Sequence, residues 1–235
     1  SIQFLVENND LMLSCSEDTT IRLWCLKTRC NLFVYRGHSY PIWSITVASQ
    51  GNYFASASMD TTARLWRVDK MCPIRIFCGH ESDVECVKFH PNAKYIATGS
   101  SDSTVRLWNT SDGRMVRLMV GHKSPITSLS FSPDGKFLAS ASGDGSIKIW
   151  NLATNSVAKD LFAPADCKID FSPQHQFIST CGRDNILRLW LIGKTDLRQI
   201  FGRKVDFSDK YQTQLQFHGD DKLFVVGSRR LLPLL

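Results

Sequence analysis

The sequence has no run of about 18 apolar residues, the length a helix needs to cross a hydrocarbon layer, so no transmembrane helix and no membrane partner are expected. None of its eight cysteines lies in a C-x-x-C pair. Cys15, Cys25, Cys30, Cys72, Cys78, Cys86, Cys167 and Cys181 are scattered, which argues against zinc and for a reducing compartment. Gly-rich phosphate loops, metal-ligand spacings and isolated acid–base sets are missing as well. Hence no catalytic residue, no metal site and no cofactor are expected. No signal peptide is visible at Ser1, which starts inside a strand-like run, and the chain reads as part of a longer protein.

What is present is periodic. Trp24, Trp66, Trp108, Trp150 and Trp190 each close a segment of the form D-x-x-x-[RK]-[LI]-W, at intervals of 42, 42, 42 and 40 residues. An Asp precedes each Trp by six: Asp18, Asp60, Asp102, Asp144 and Asp184. A hydroxyl residue precedes each Asp by four: Ser14, Ser56, Thr98, Ser140 and Thr180. Gly-His pairs end on His38, His80 and His122, each 22 residues before its Asp. Between these marks run short alternating segments such as Val84–Phe89 and Tyr95–Ser100, joined by turns reading SQGN, HPNAK, SPDGK and SPQHQ. Alternation with turns rich in Pro, Asn and Gly predicts short antiparallel strands.

A repeat near 40–45 residues with Gly-His and a terminal Trp resembles the WD40 family. The resemblance implies an all-β WD40 β-propeller, here about five and a half blades of a seven-bladed ring. It also implies a structural hydrogen-bonded tetrad of His, Ser/Thr, Asp and Trp in each full repeat. The full sets are His38, Ser56, Asp60, Trp66; His80, Thr98, Asp102, Trp108; and His122, Ser140, Asp144, Trp150. The first repeat (Ser14, Asp18, Trp24) and the fifth (Thr180, Asp184, Trp190) lack the histidine. Ser, His and Asp are also the residue types of a catalytic triad, but a set repeated around the fold singles out no one copy for catalysis.

The expected propeller spans residues 1–227, with blades at about 1–35, 36–77, 78–120, 121–162 and 163–201, a partial blade at 202–227, and an unassigned tail at 228–235. The first blade is expected to be incomplete, with Phe4 and Val6 as the tail of a strand. In the fifth, Ala163-Pro164-Ala165 stands where Gly-His is expected. Later strands are expected at Leu197–Phe201, Lys204–Phe207, Gln212–Phe217 and Leu223–Val226.

Net charge is +6, which raises the question of nucleic acid. The basic residues Arg22, Arg64, Arg106, Lys148 and Arg188 recur two before each Trp, however, where their stems can cover apolar surface. Direct nucleic-acid binding is not expected.

The runs Tyr35-Arg36-Gly37-His38-Ser39-Tyr40-Pro41-Ile42-Trp43, Thr62–Trp66, Pro73–Phe77 and Asp83–Asn92 resemble the WD40 domain of the TBP-associated factor 5 family. That family comprises a TFIID subunit and its paralogue in SAGA/PCAF-type histone acetyltransferase complexes. The resemblance implies a non-catalytic nuclear scaffold for transcription by RNA polymerase II, placed beside histone-fold subunits. A ubiquitin-ligase substrate receptor would need Asp after the blade Trp. Cys25, Arg67, Asn109, Asn151 and Leu191 stand there instead. A generic signalling scaffold is the other alternative. Tyr40 and Trp43 are candidate partner contacts, because the repeat places Glu85 and Thr127 where Trp43 stands and a Trp at a polar position suits an interface.

Overall fold

Alternating segments that cannot bury an apolar face alone pair with their sequence neighbours, and here every pairing is antiparallel and sequential. The computed structural model describes residues 1–5, 8–174, 177–184, 186–192, 197–204, 214–218, 222–226 and 231–233. Among them there is no helix.

The chain divides into two units, Ser1–Ile126 and Thr127–Leu235. In the first unit, one sheet holds β1 (Ile2–Leu5), β2 (Asn8–Cys15), β3 (Ile21–Cys25) and β4 (Cys30–Tyr35). The next holds β5 (Ile42–Val47), β6 (Tyr53–Ser58), β7 (Ala63–Arg67) and β8 (Arg75–Phe77). A third holds β9 (Val84–Phe89), β10 (Tyr95–Ser100), β11 (Thr104–Asn109) and β12 (Met115–Val120).

In the second unit, β13 (Ile126–Phe131, opening on the last residue of the first unit), β14 (Phe137–Ser142), β15 (Ser146–Asn151) and β16 (Ser156–Phe162) form one sheet. β17 (Lys168–Phe171), β18 (Phe177–Cys181), β19 (Ile186–Ile192) and β20 (Leu197–Lys204) form another. β21 (Gln214–His218), β22 (Lys222–Val226) and β23 (Leu231–Pro233) form a three-stranded sheet. The five four-stranded meanders are blades of a WD40 β-propeller.

The first sheet has its strand at Phe4, where Ile2–Phe4 pair with Met12–Ser14 of β2; Val6 lies outside the described residues. Two expectations change. Lys204 closes β20 instead of opening a new strand, since β20 follows β19 through to an Ile186↔Lys204 pair; residues 205–207 are outside the described set. Within the tail left unassigned, Leu231–Pro233 pair with Phe224–Val226, while residues 228–230, 234 and 235 lie outside the described residues.

The second strands β6, β10 and β14 are rich in small residues for a packing reason. Phe54-Ala55-Ser56-Ala57-Ser58 is buried throughout, on both faces of its sheet. Large side chains on both faces would hold neighbouring sheets apart. At Gly99 the limit is sharpest: a Cβ there would lie 2.6 Å from Ile126 Cγ2 and 2.8 Å from Cys86 Sγ.

The turns after Asp18, Asp60, Asp102 and Asp144 need a left-handed residue. Thr19, Thr61 and Ser103 take φ of 71°, 65° and 64°, and Gly145 takes 79° at the same place. A β-branched residue is strained there, at a cost of about 1–2 kcal/mol. Thr61→Gly should therefore stabilise the chain by about 0.5–1 kcal/mol, once glycine's extra unfolded-state freedom is subtracted. A lower guanidinium midpoint for the variant would show that the Thr61 side chain makes a compensating contact.

Candidate protein-contact site

The frame of the site is the tetrad. In the second repeat, Trp66 Nε1–H donates to Ser56 Oγ at 2.8 Å, and His38 bridges Ser56 Oγ (2.7 Å to Nε2) and Asp60 Oδ2 (2.7 Å to Nδ1). The third repeat repeats these contacts: Trp108 to Thr98 at 2.8 Å, and His80 to Thr98 and Asp102 at 2.7 Å each. An indole N–H can only donate, so the hydroxyl oxygen accepts it and gives its own hydrogen to Nε2. That assigns a neutral imidazole whose Nδ1–H donates to the carboxylate, a tautomer set by the network.

Electrostatics agree with that assignment. Burial lowers the His38 and His80 pKa values below the ordinary imidazole value, and the facing carboxylates only partly offset this. Burial alone would raise Asp102, but hydrogen bonds from Thr104 and His80 outweigh it and hold the carboxyl down at about 2. Asp60 is lowered further by the same kinds of contact from His38 and Thr62.

Both shifts act in one direction with pH. A histidine depressed in the fold stabilises it above the unfolded value near 6.5 and loses that contribution as pH falls below it. A depressed carboxylate contributes above about 4 and loses its contribution as pH falls toward about 2. The guanidinium midpoint should thus be level above pH ~7, decline from ~6.5 downward, and fall more steeply below ~4. A midpoint that rises between pH 7 and 5 would mean the imidazoles are charged in the fold.

The Ser56–His38–Asp60 chain has the bonding order of a catalytic triad, yet Ser56 is fully buried and its oxygen is capped by the Trp66 indole. A substrate has no path to that hydroxyl in this arrangement.

The other repeats share parts of this frame. Trp24 donates to Ser14 at 2.8 Å, Trp150 to Ser140 at 2.8 Å and Trp190 to Thr180 at 3.1 Å. Asp18 accepts from Thr20 Oγ1 at 2.6 Å and pairs with Arg22 at 3.1 Å. Asp144 accepts from Ser146 at 2.6 Å, and Asp184 pairs with Arg188 at 2.5 Å. His122 is buried at the end of the first unit. Where the fifth repeat lacks Gly-His, the buried Cys167 thiol, its pKa pushed up to about 12 by burial, donates to the Pro164 carbonyl at 2.6 Å, and Arg183 pairs with Asp166.

The periodic arginines do more than cover apolar surface. Arg64 Nη2 lies 3.4 Å from Asp60 Oδ2 and Arg106 Nη2 lies 3.7 Å from Asp102 Oδ2, so each tetrad carboxylate also faces a guanidinium. The guanidinium roofs the Gly-His glycine: a Cβ on Gly37 would sit 2.8 Å from Arg64 Nη1 and 3.1 Å from the Trp66 ring. In the fourth repeat Lys148 instead bonds Asp160 of β16 at 2.9 Å.

This frame fixes the loop that carries the candidate contacts. His38 anchors its start. Ser58 Oγ–H lies 2.8 Å from the Pro41 carbonyl and 3.1 Å from that of Tyr40, and the Met59 N–H donates to the Pro41 carbonyl at 3.0 Å. β5 then bulges: Ile42 pairs with Ser58 and Ser44 with Ala57, leaving Trp43 as the extra residue. Tyr40, Trp43 and Met59 are 55%, 39% and 40% exposed. In the third repeat the corresponding bulged residue is Glu85, which accepts from Ser101, the counterpart of Met59, at 2.6 Å. The second repeat thus carries an apolar trio where its neighbour carries a polar pair. Neither bulge nor trio is visible as spacing; only the odd Trp at a polar position signals them.

Residues 1–230 match the family of the IFT122 first β-propeller. The chain belongs to that family. This propeller also has a 41-residue segment, 17% of its length, that is 42% identical to transcription initiation factor TFIID subunit 5 of Encephalitozoon cuniculi (strain GB-M1). The match spans 7% of that relative's length and supports the WD40 repeat. Among the described residues no group of three or more His, Cys, Asp and Glu is placed to hold a metal.

Proposed function

We propose that this propeller is a non-catalytic scaffold in a nuclear transcription coactivator complex of the TFIID or SAGA type. It contacts protein subunits, histone-fold factors among them, through the surface of Tyr40, Trp43 and Met59. The observation that carries the contact is the bulged, exposed Trp43 on a hydrogen-bonded frame, beside two further exposed apolar side chains. The complex is supported by the runs in the second and third repeats and by the short likeness to a TFIID subunit. Family membership favours a second reading, a subunit of an IFT122-type assembly.

Affinity purification with mass spectrometry separates the two. Histone-fold subunits and an acetyltransferase should come down with the parent chain. Trp43→Ala should lose them while its unfolding midpoint stays within about 0.5 kcal/mol of the parent, as expected for a surface change. Partners retained at full yield would remove Trp43 from the interface. Partners of an IFT122-type assembly in place of histone-fold subunits would select the second reading.

A further inference from the structure

The last pair in the β3–β4 register is Cys25↔Cys30. Residues directly opposite in an antiparallel pair have Cα atoms about 4.5–5.5 Å apart and side chains on one face. A disulfide needs a Cα separation of about 4.4–6.8 Å, so the backbone already has the required spacing. Arg29 at φ 56° closes the turn between them. Cys30 is exposed and Cys25 is partly so, whereas Cys15, Cys86, Cys167 and Cys181 are buried. Among the described residues no other cysteine faces a cysteine across a strand pair.

We propose that Cys25 and Cys30 form a thiol-oxidation site, a cross-strand dithiol that exchange with a small-molecule disulfide closes into a reversible disulfide at the base of the β3–β4 turn. The roles of the two sulfurs differ. The Thr28 hydroxyl and the N–H groups of Thr28 and Lys27 point at Cys25 and lower its pKa, favouring its thiolate. The nearby Asp10 opposes this only weakly, since Lys27 Nζ pairs with it at 2.5 Å. Cys30 instead donates to the Thr28 carbonyl at 3.2 Å.

Cys25 thiolate therefore attacks one sulfur of the incoming disulfide and expels the other as a thiolate. A mixed disulfide on Cys25 results. Cys30 then gives its proton to water and attacks the Cys25 sulfur, expelling the second small thiolate. Two protein thiols are oxidised and one small disulfide is reduced to two thiols. Because β3 and β4 are already paired there, closure needs no rearrangement of the sheet.

Oxidised glutathione is the probe. The full chain is equilibrated with it, quenched with iodoacetamide and mapped by trypsin, which cuts at Lys27 and Arg29 between the two cysteines. The expected product is a linked pair of peptides, Leu23–Lys27 and Cys30–Arg36, with two alkylation sites lost and about 2 Da missing from the intact chain. Cys72 and Cys78, also exposed, stay alkylatable and serve as controls. Cys30→Ser should stall at the glutathione adduct on Cys25. Thr28→Val should slow iodoacetamide capture of Cys25 relative to Cys72. The proposal is overturned by Cys25 and Cys30 alkylating like Cys72 after oxidation, by a persistent adduct in the parent, or by a link from Cys30 to another cysteine. An unchanged Cys25 capture rate in Thr28→Val overturns its role as the attacking sulfur.

Discussion

Replacing Trp66 by alanine should cost about 3–5 kcal/mol, the largest loss expected from a single substitution in the first unit. Trp66 is 1% exposed and stands in one apolar cluster with Leu13, Ile21, Leu23, Tyr35 and Phe54. Its ring stacks on Phe54, with centroids 6.0 Å apart and planes 5° from parallel, and meets Tyr35 edge-on at 6.1 Å. Removing it opens a cavity between close-packed sheets that cannot collapse without moving β3 and β6. It also strips Ser56 Oγ of its indole donor. Trp66→Phe separates the two effects: it keeps most of the ring and loses only the N–H, so about 1 kcal/mol should go. Denaturant unfolding of both variants checks this. A Trp66→Ala loss no larger than that of Trp66→Phe would mean the packing contributes little.

Asp102→Ala should cost about 1–3 kcal/mol and flatten the acid limb of the stability curve. The carboxylate accepts from His80 Nδ1 at 2.7 Å, from Thr104 Oγ1 at 2.6 Å, from Thr104 N at 2.9 Å and from Glu81 N at 3.2 Å. Alanine leaves those donors without an acceptor at a site where Asp102 is only 8% exposed. A pKa near 2 in the fold, against an ordinary aspartate near 4, corresponds to roughly 2 kcal/mol at neutral pH. Asp18 is the control within the same chain. It has the same sequence position and a side chain 45% exposed, so Asp18→Ala should cost much less. An Asp102→Ala variant as stable as the parent that still lost its partners would move Asp102 from the frame to the interface.

Repeat spacing by itself carried the all-β class and the succession of short antiparallel strands, because these depend on local period and on residues that return in register. Val84–Phe89 and Tyr95–Ser100 are strands at the bounds their alternation predicts. Ser56 and Trp66 meet because antiparallel pairing sets Ser56 opposite Arg64 and Phe54 opposite Trp66, a consequence of the ten-residue interval. Only the tertiary structure decided what depends on distant surfaces and on irregular register. β2 extends back to Asn8, which no alternation marks. The guanidinium of Arg64 turns to Asp60 because Gly37 leaves room above the Trp66 ring. Trp43 faces outward because β5 carries one residue more than β6 can pair, and a bulge that redirects a side chain has no signature in composition or period. Cys25 and Cys30, five apart and unremarkable in sequence, face each other only once the β3–β4 register is set by the turn between them.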